Sequence, residues 1–85
     1  MRFPELYTFS MDVNLKDQAV KVLEEASEVL EAVKEGDRHH IQEEIMDTVQ
    51  ALANLCERLG YSELDMGVAY RKVFMKNKSK GRYED

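Results

Sequence analysis

From Leu15 onward, the apolar residues Leu15, Ala19, Val22, Leu23, Ala26, Val29, Leu30 and Val33 recur every three or four positions. That is the period of one face of an α-helix. Asn14, with Asp17 three residues later, supplies an N-cap and a first-turn acid, and Gly36 supplies the stop. Asp37 caps a second run, in which Ile41, Ile45, Val49, Leu52, Leu55, Cys56 and Leu59 form one stripe before Gly60. Ser62 and Asp65 then resemble a capping box with a shortened acid and open a third helix that reaches about Lys78. No segment alternates with the period of a strand. The pattern predicts an all-α chain built as a helical hairpin plus a third helix. Over residues 1–85 it reads as one domain: an N-terminal arm (1–13), helices over 14–35, 37–59 and 62–78, and a tail (79–85). The arm mixes Phe3, Pro4, Leu6, Tyr7, Phe9 and Met11 without a clean period and is expected to cover apolar surface as an ordered arm or a short helix.

The polar positions carry a second regularity. Glu28 and Glu44 each lie eight residues from Gly36, and Glu25 and Asp47 each lie eleven from it. If Gly36 is the turn of an antiparallel pair, Glu28 faces Glu44 and Glu25 faces Asp47. Within each helix the two acids are spaced i, i+3, so their side chains stand one above the other. On a helical wheel, Glu25 and Glu28 fall on one flank of the first stripe, and Glu44 and Asp47 on the corresponding flank of the second. With the two stripes packed face to face, both height and azimuth bring the four acids together. Like charges so placed repel unless a cation lies among them, and a hard divalent ion such as Mg2+ suits oxygen ligands. A solvated acidic face would show similar spacing. Against it, basic partners are scarce between Glu24 and Glu31.

Composition narrows the class. An 85-residue chain that is 44% apolar is too apolar for disorder, yet small enough that one core is marginal. Burial of faces between copies, giving a homodimer or homotetramer with a four-helix-bundle core, is the expected remedy; Val20, Met46 and Ala53 widen the apolar surface for it. The single Cys56 excludes an intrachain disulfide, and no apolar run reaches bilayer length. With no signal-like apolar segment at the start, the expected place is the cytoplasm, with no membrane partner. Net charge is −5. Residues 1–70 hold six basic and fifteen acidic side chains, whereas residues 71–83 hold six basic ones and no acid. An acidic body argues against general nucleic-acid binding. The basic tail suits a ligand that is both metal-bound and polyanionic, or simply a helix C-terminus.

The segment Glu24-Glu25-Ala26-Ser27-Glu28, followed by Glu44-Ile45-Met46-Asp47, resembles the EExxE…ExxD signature of the all-α, MazG-like nucleoside triphosphate pyrophosphohydrolases. The resemblance covers about residues 14–83 and includes Lys21-Val22-Leu23, the Gly36-Asp37 turn and the basic ending Lys76-Asn77-Lys78-Ser79-Lys80-Gly81-Arg82-Tyr83. It implies Mg2+-dependent hydrolysis of a nucleoside triphosphate to monophosphate and pyrophosphate, with Mn2+ as a possible substitute. It implies Glu25, Glu28, Glu44 and Asp47 as metal ligands. Glu24 would orient or deprotonate the attacking water together with Glu25, although the helical wheel turns Glu24 outward. Counter-charge for pyrophosphate is expected from Lys21, Lys76, Lys80 and Arg82. Asn77 is a candidate for a sugar or phosphate oxygen. Gln18 and Asn54, each seven residues from a proposed ligand, are candidates for the base or ribose. His39 and His40 are adjacent, point in different directions and read as surface or capping residues. Tyr61, Tyr70 and Phe74 read as core or interface.

Two other readings compete. Phosphoribosyl-ATP pyrophosphohydrolase shares the acid motif and the Gly-Asp turn, but Asp47 is followed here by Thr48-Val49-Gln50-Ala51 and not by that enzyme's Leu-Leu-Tyr-His. A non-catalytic helical interaction protein would carry the acids for solubility alone.

Overall fold

The computed structural model describes residues 3–84; Met1 and Arg2 of the arm and Asp85 of the tail lie outside the described residues. Helix α1 spans Leu15–Glu35, α2 spans Arg38–Leu59 and α3 spans Glu63–Ser79. Each start has a local cause. The Asn14 side chain accepts from the Asp17 N–H at 2.7 Å, and Asp37 accepts from the N–H groups of both His39 and His40. Ser62 and Asp65 complete a reciprocal capping box. These side chains satisfy donors that have no partner inside the helix. Gly36 and Gly60 end α1 and α2 with φ of 81° and 76°, a left-handed conformation that favours glycine.

α1 and α2 pack as the expected antiparallel pair, but not through their apolar stripes. The buried residues of α1 are Gln18, Glu25 and Ala32, one every seventh position, and those of α2 are Ala51 and Asn54. This seam lies roughly a quarter-turn or more around each helix from the stripe centre, on the carboxylate flank. Leu23, Leu30 and Val33 of α1 and Leu52 of α2 remain exposed, Leu23 at 67%. The face-to-face arrangement expected from the wheel is therefore corrected. The seam mixes Gln18, Glu25 and Asn54 with Ala32 and Ala51, and a large part of each apolar face points outward from the hairpin.

α3 packs on neither helix of the hairpin and buries no residue. At its base Cys56 Sγ lies 3.9 Å from Met66 Sδ. Further along, Phe74 lies between Tyr70 and Tyr83, stacked on the latter with ring centroids 4.8 Å apart. The chain exposes 7200 Å², against roughly 5,200 Å² for a compact monomer of 9.9 kDa. Its radius of gyration is 14.9 Å, where about 12 Å is expected of a compact 85-residue domain. Surface in excess by this margin, much of it Leu, Val, Tyr and Met, marks faces without a partner inside one chain. No described helix is long and apolar enough to cross a membrane.

The arm over residues 3–14 is irregular, without a helical turn, and covers a polar region. Asn54 Oδ1 accepts from the Phe9 N–H at 3.1 Å, Gln50 Nε2 donates to the Tyr7 carbonyl at 2.8 Å, and Arg58 Nη1 donates to the Val13 carbonyl. Gln50, Asn54 and Arg58 stand one turn apart along a single row of α2, which is why one extended strand can be held by all three.

Candidate metal and nucleotide site

The antiparallel seam brings carboxylate oxygens of Glu25, Glu28 and Glu44 within 4.8 Å of one another. Glu25 is buried, Glu44 is half-buried and Glu28 is exposed. Asp47 borders the group without entering this tight set. Its carboxyl is held above the usual range first by desolvation and then by the charges of Glu25 and Glu44. The Glu28 carboxyl is also raised, chiefly by a hydrogen bond with Glu44 and next by the Glu25 charge. Beside desolvation at Asp47 and the hydrogen bond at Glu28, both shifts also carry the charge of neighbouring carboxylates, so negative charge is crowded here.

Lys21 and His40 reach the cluster. Lys21 Nζ lies 3.0 Å from Glu25 Oε1 and 3.9 Å from Glu24 Oε2. The hydrogen bond to Glu25 is the main reason that the Lys21 ammonium holds its proton more tightly than usual. His40 lies between Glu35 and Glu44, with Nδ1 3.3 Å from Glu35 Oε2 and Nε2 3.2 Å from Glu44 Oε1. Desolvation works to lower its pKa, but the hydrogen bonds and charges of the two glutamates outweigh it and the net shift is upward. Even with these partners, Glu25 Oε2 and Glu44 Oε2 are buried with no hydrogen-bond partner. A buried carboxylate oxygen without a partner carries a desolvation cost that nothing offsets. Two such oxygens, in a group of three carboxylates, are the donor set that a hard cation takes.

The other residues proposed from sequence divide sharply. Gln18 and Asn54 are buried in the seam, and Lys21 contacts the carboxylate cluster. Glu24 is largely exposed and stays on the solvent side, as its azimuth requires. Lys76, Asn77, Lys80 and Arg82 sit on α3 and the tail, which do not pack on the hairpin of the same chain. There Arg82 Nη1 donates to Asn77 Oδ1 at 2.9 Å, so the tail folds back on its own helix. His40, expected as a surface or capping residue, is half-buried between Glu35 and Glu44, and its i, i+4 spacing to Glu44 was the available signal. Arg58, and the backbone of Phe9 in the arm, also hold side chains beside the site. The polar row Gln50, Asn54, Arg58 at four-residue spacing was the available signal for them.

With this geometry in view, comparison with known families is decisive. The model of the MazG nucleotide pyrophosphohydrolase domain matches residues 15–85. The chain belongs to the MazG family. It is a hydrolase acting on nucleotide pyrophosphate bonds, and the three-helix, strand-free architecture of the described residues agrees with that fold. The match begins at the first residue of α1, so the arm that straps α2 lies outside it. No curated protein and no solved structure matches the chain.

Proposed function

We propose that this MazG-family chain hydrolyses a nucleoside or deoxynucleoside triphosphate to the monophosphate and pyrophosphate, with Mg2+ held by Glu25, Glu28, Glu44 and Asp47. The observation that carries this reading is the pair of buried, unpartnered oxygens, Glu25 Oε2 and Glu44 Oε2, within a cluster of three carboxylates. Solvated surface acids keep their oxygens in water; these two are withdrawn from it. Mg2+ is the preferred ion because the donors are all carboxylate oxygens, and Mn2+ is the natural substitute for the same reason. When bound, the ion supplies a Lewis acid that draws charge from the phosphoryl oxygens.

The chain's own groups do the remainder. Glu25 is the buried acid best placed to orient a water toward the α-phosphorus, since its Oε1 is already fixed by Lys21. Glu24, on the solvent side, holds Lys21 from the other direction. Lys21 offers a positive charge to the triphosphate at the mouth of the site. As water attacks, the bond from the α-phosphorus to the bridging oxygen breaks, and the electron pair leaves with pyrophosphate. Gln18 and Asn54 lie where base or ribose would extend from the phosphates.

Further counter-charge from Lys76, Lys80 and Arg82, with Asn77 beside them, requires a second copy of the chain, because α3 stands away from its own hairpin. We place the protein as a homodimer or homotetramer in which the outward stripes of α1 and α2 form a four-helix bundle and α3 packs on a neighbour. The exposed apolar side chains of all three helices support this assembly.

The test is pyrophosphate release in Mg2+ from a panel of standard and modified NTPs and dNTPs, with phosphoribosyl-ATP included. Glu28→Gln and Glu44→Gln are run beside the wild type. Turnover of triphosphates that both substitutions reduce by about a hundredfold or more is expected. Activity confined to phosphoribosyl-ATP would replace the proposed substrate class, and activity that survives both substitutions would remove the metal assignment.

A further inference from the structure

Two buried amides beside the carboxylate cluster have their orientations fixed by groups that can only donate. Gln18 is 1% exposed and Asn54 is 2% exposed. The Arg58 guanidinium has no acceptor, so the group it meets at 2.9 Å is the Gln18 carbonyl oxygen. The Phe9 backbone N–H likewise requires the Asn54 carbonyl oxygen, which also accepts from Gln50 Nε2 at 3.0 Å. Gln50 is fixed in turn, because the same nitrogen donates to the Tyr7 carbonyl. Both amide oxygens are thus occupied. Both NH2 groups remain, and among the described residues neither meets an acceptor. Neither nitrogen is among the buried atoms that lack a partner, so both NH2 groups open onto the space beside them and are free to donate to a ligand there.

The space they adjoin has the right place and size. A cavity of about 450 Å³ lies between the arm and the hairpin, lined in part by Phe9, Met11, Gln18, Asn54 and Arg58. That volume is in the usual range for a small-molecule site. An adjoining cavity of about 260 Å³ shares Phe9, Met11 and Asn54 with it and reaches Lys21, Glu25 and Asp47. The two cavities thus share a wall under the arm, one on the side of the amides and one on the side of the carboxylates.

We propose that the cavity under the arm is a base subsite that selects a ring presenting carbonyl oxygens, read by the NH2 groups of Gln18 and Asn54, with Arg58 and the Phe9 backbone as the residues that set their orientation. The proposal rests on the reading of the carboxylates as the phosphate end of the site. Uracil and cytosine separate the possibilities cleanly. The exocyclic group of uracil (as of thymine) at that position is an acceptor, and that of cytosine is an NH2 donor. A site with donors only accepts the first and leaves two donors facing each other with the second. Phe9, more than half exposed and bordering both cavities, offers a ring face for stacking.

The experiment is equilibrium binding of UMP and CMP in Mg2+, measured by calorimetry on the wild type, Gln18→Glu and Asn54→Asp. In each variant one carboxylate oxygen keeps the existing donor, Arg58 or the Phe9 N–H, and the other replaces the NH2 group with an acceptor. The wild type is expected to bind UMP about tenfold or more tightly than CMP. Each variant should move that ratio toward CMP, even where the added charge weakens both ligands. Equal binding of UMP and CMP by the wild type would overturn the proposal, as would an unchanged ratio in a variant whose circular dichroism and melting show it to be folded. Two variants on different helices guard against one failing to fold. Since monophosphate binding needs no hydrolysis, absence of turnover on every triphosphate would overturn the proposed reaction, whereas a surviving UMP preference would still uphold the subsite.

Discussion

Lys21 Nζ lies 3.0 Å from Glu25 Oε1 while the other oxygen of the same carboxylate, Oε2, is buried and unpartnered. One cation of the protein therefore satisfies half of the most buried carboxylate of the cluster. The same carboxylate belongs to the cluster with Glu28 and Glu44, so the folded state carries electrostatic repulsion that a bound cation would relieve.

Metal should consequently stabilise the fold. A ligand that binds only the folded state at about a hundred times its dissociation constant adds about 2.7 kcal/mol. Millimolar Mg2+ is expected to raise the melting temperature by several degrees, and Glu25→Gln should remove most of that rise. Differential scanning fluorimetry with Mg2+, Mn2+ and a chelator checks it. An identical melting curve in Mg2+ and chelator would contradict the metal site.

The metal-free protein should lose stability as pH rises. Glu28 and Asp47 have folded-state pKa values above their ordinary ones. A raised group contributes its stability fully below its unfolded pKa and loses it as pH rises through the folded value. His40 is raised as well, so its contribution is present below about 6.5 and lost above its folded value. These shifts act in one direction between about pH 4 and 8. Asp65, lowered chiefly by the backbone N–H of Ser62, acts in the opposite sense and only in acid. Melting temperature in chelator should therefore climb as pH falls from 8 toward 5.5, and His40→Ala should flatten the upper part of that climb. In Mg2+ the profile should be flatter or reversed, because deprotonated carboxylates bind the ion better.

Leu23 of α1 and Leu64 of α3 are exposed at 67% and 76%. In an assembly that buries the outward stripes, Leu23→Glu places a charge in the interface. Sedimentation or light scattering should show the wild type as a dimer or tetramer and the variant shifted toward monomer, with a melting temperature that falls on dilution. A wild type that is monomeric at micromolar concentration would refute the assembly.

Gly36 has φ of +81°, with no atom within 4 Å of where a Cβ would stand. Gly36→Ala therefore meets no clash and isolates the cost of a left-handed backbone, about 1 kcal/mol. The expected result is a melting temperature lower by several degrees with activity retained at permissive temperature. No loss of stability would show that the turn relaxes.

The sequence by itself determined the helices, their caps and the approach of Glu25, Glu28 and Glu44, with Asp47 left at the border of that group. Asn14, Asp37 and Ser62 cap through contacts within three residues, and Gly36 and Gly60 terminate through their own φ, so local chemistry was enough. The equal spacing of Glu28 and Glu44 about Gly36 likewise needs only an antiparallel turn to be read. The seam was decided by the tertiary structure. An apolar stripe says that a face must be buried but not against what, and here the stripe is left for a partner while Gln18, Glu25, Ala32, Ala51 and Asn54 meet. The same holds for His40 reaching back across the turn to Glu35, and for the arm laid along Gln50, Asn54 and Arg58. These are contacts between residues distant in the chain or across a turn. Only the three-dimensional register of the hairpin brings them within hydrogen-bond distance.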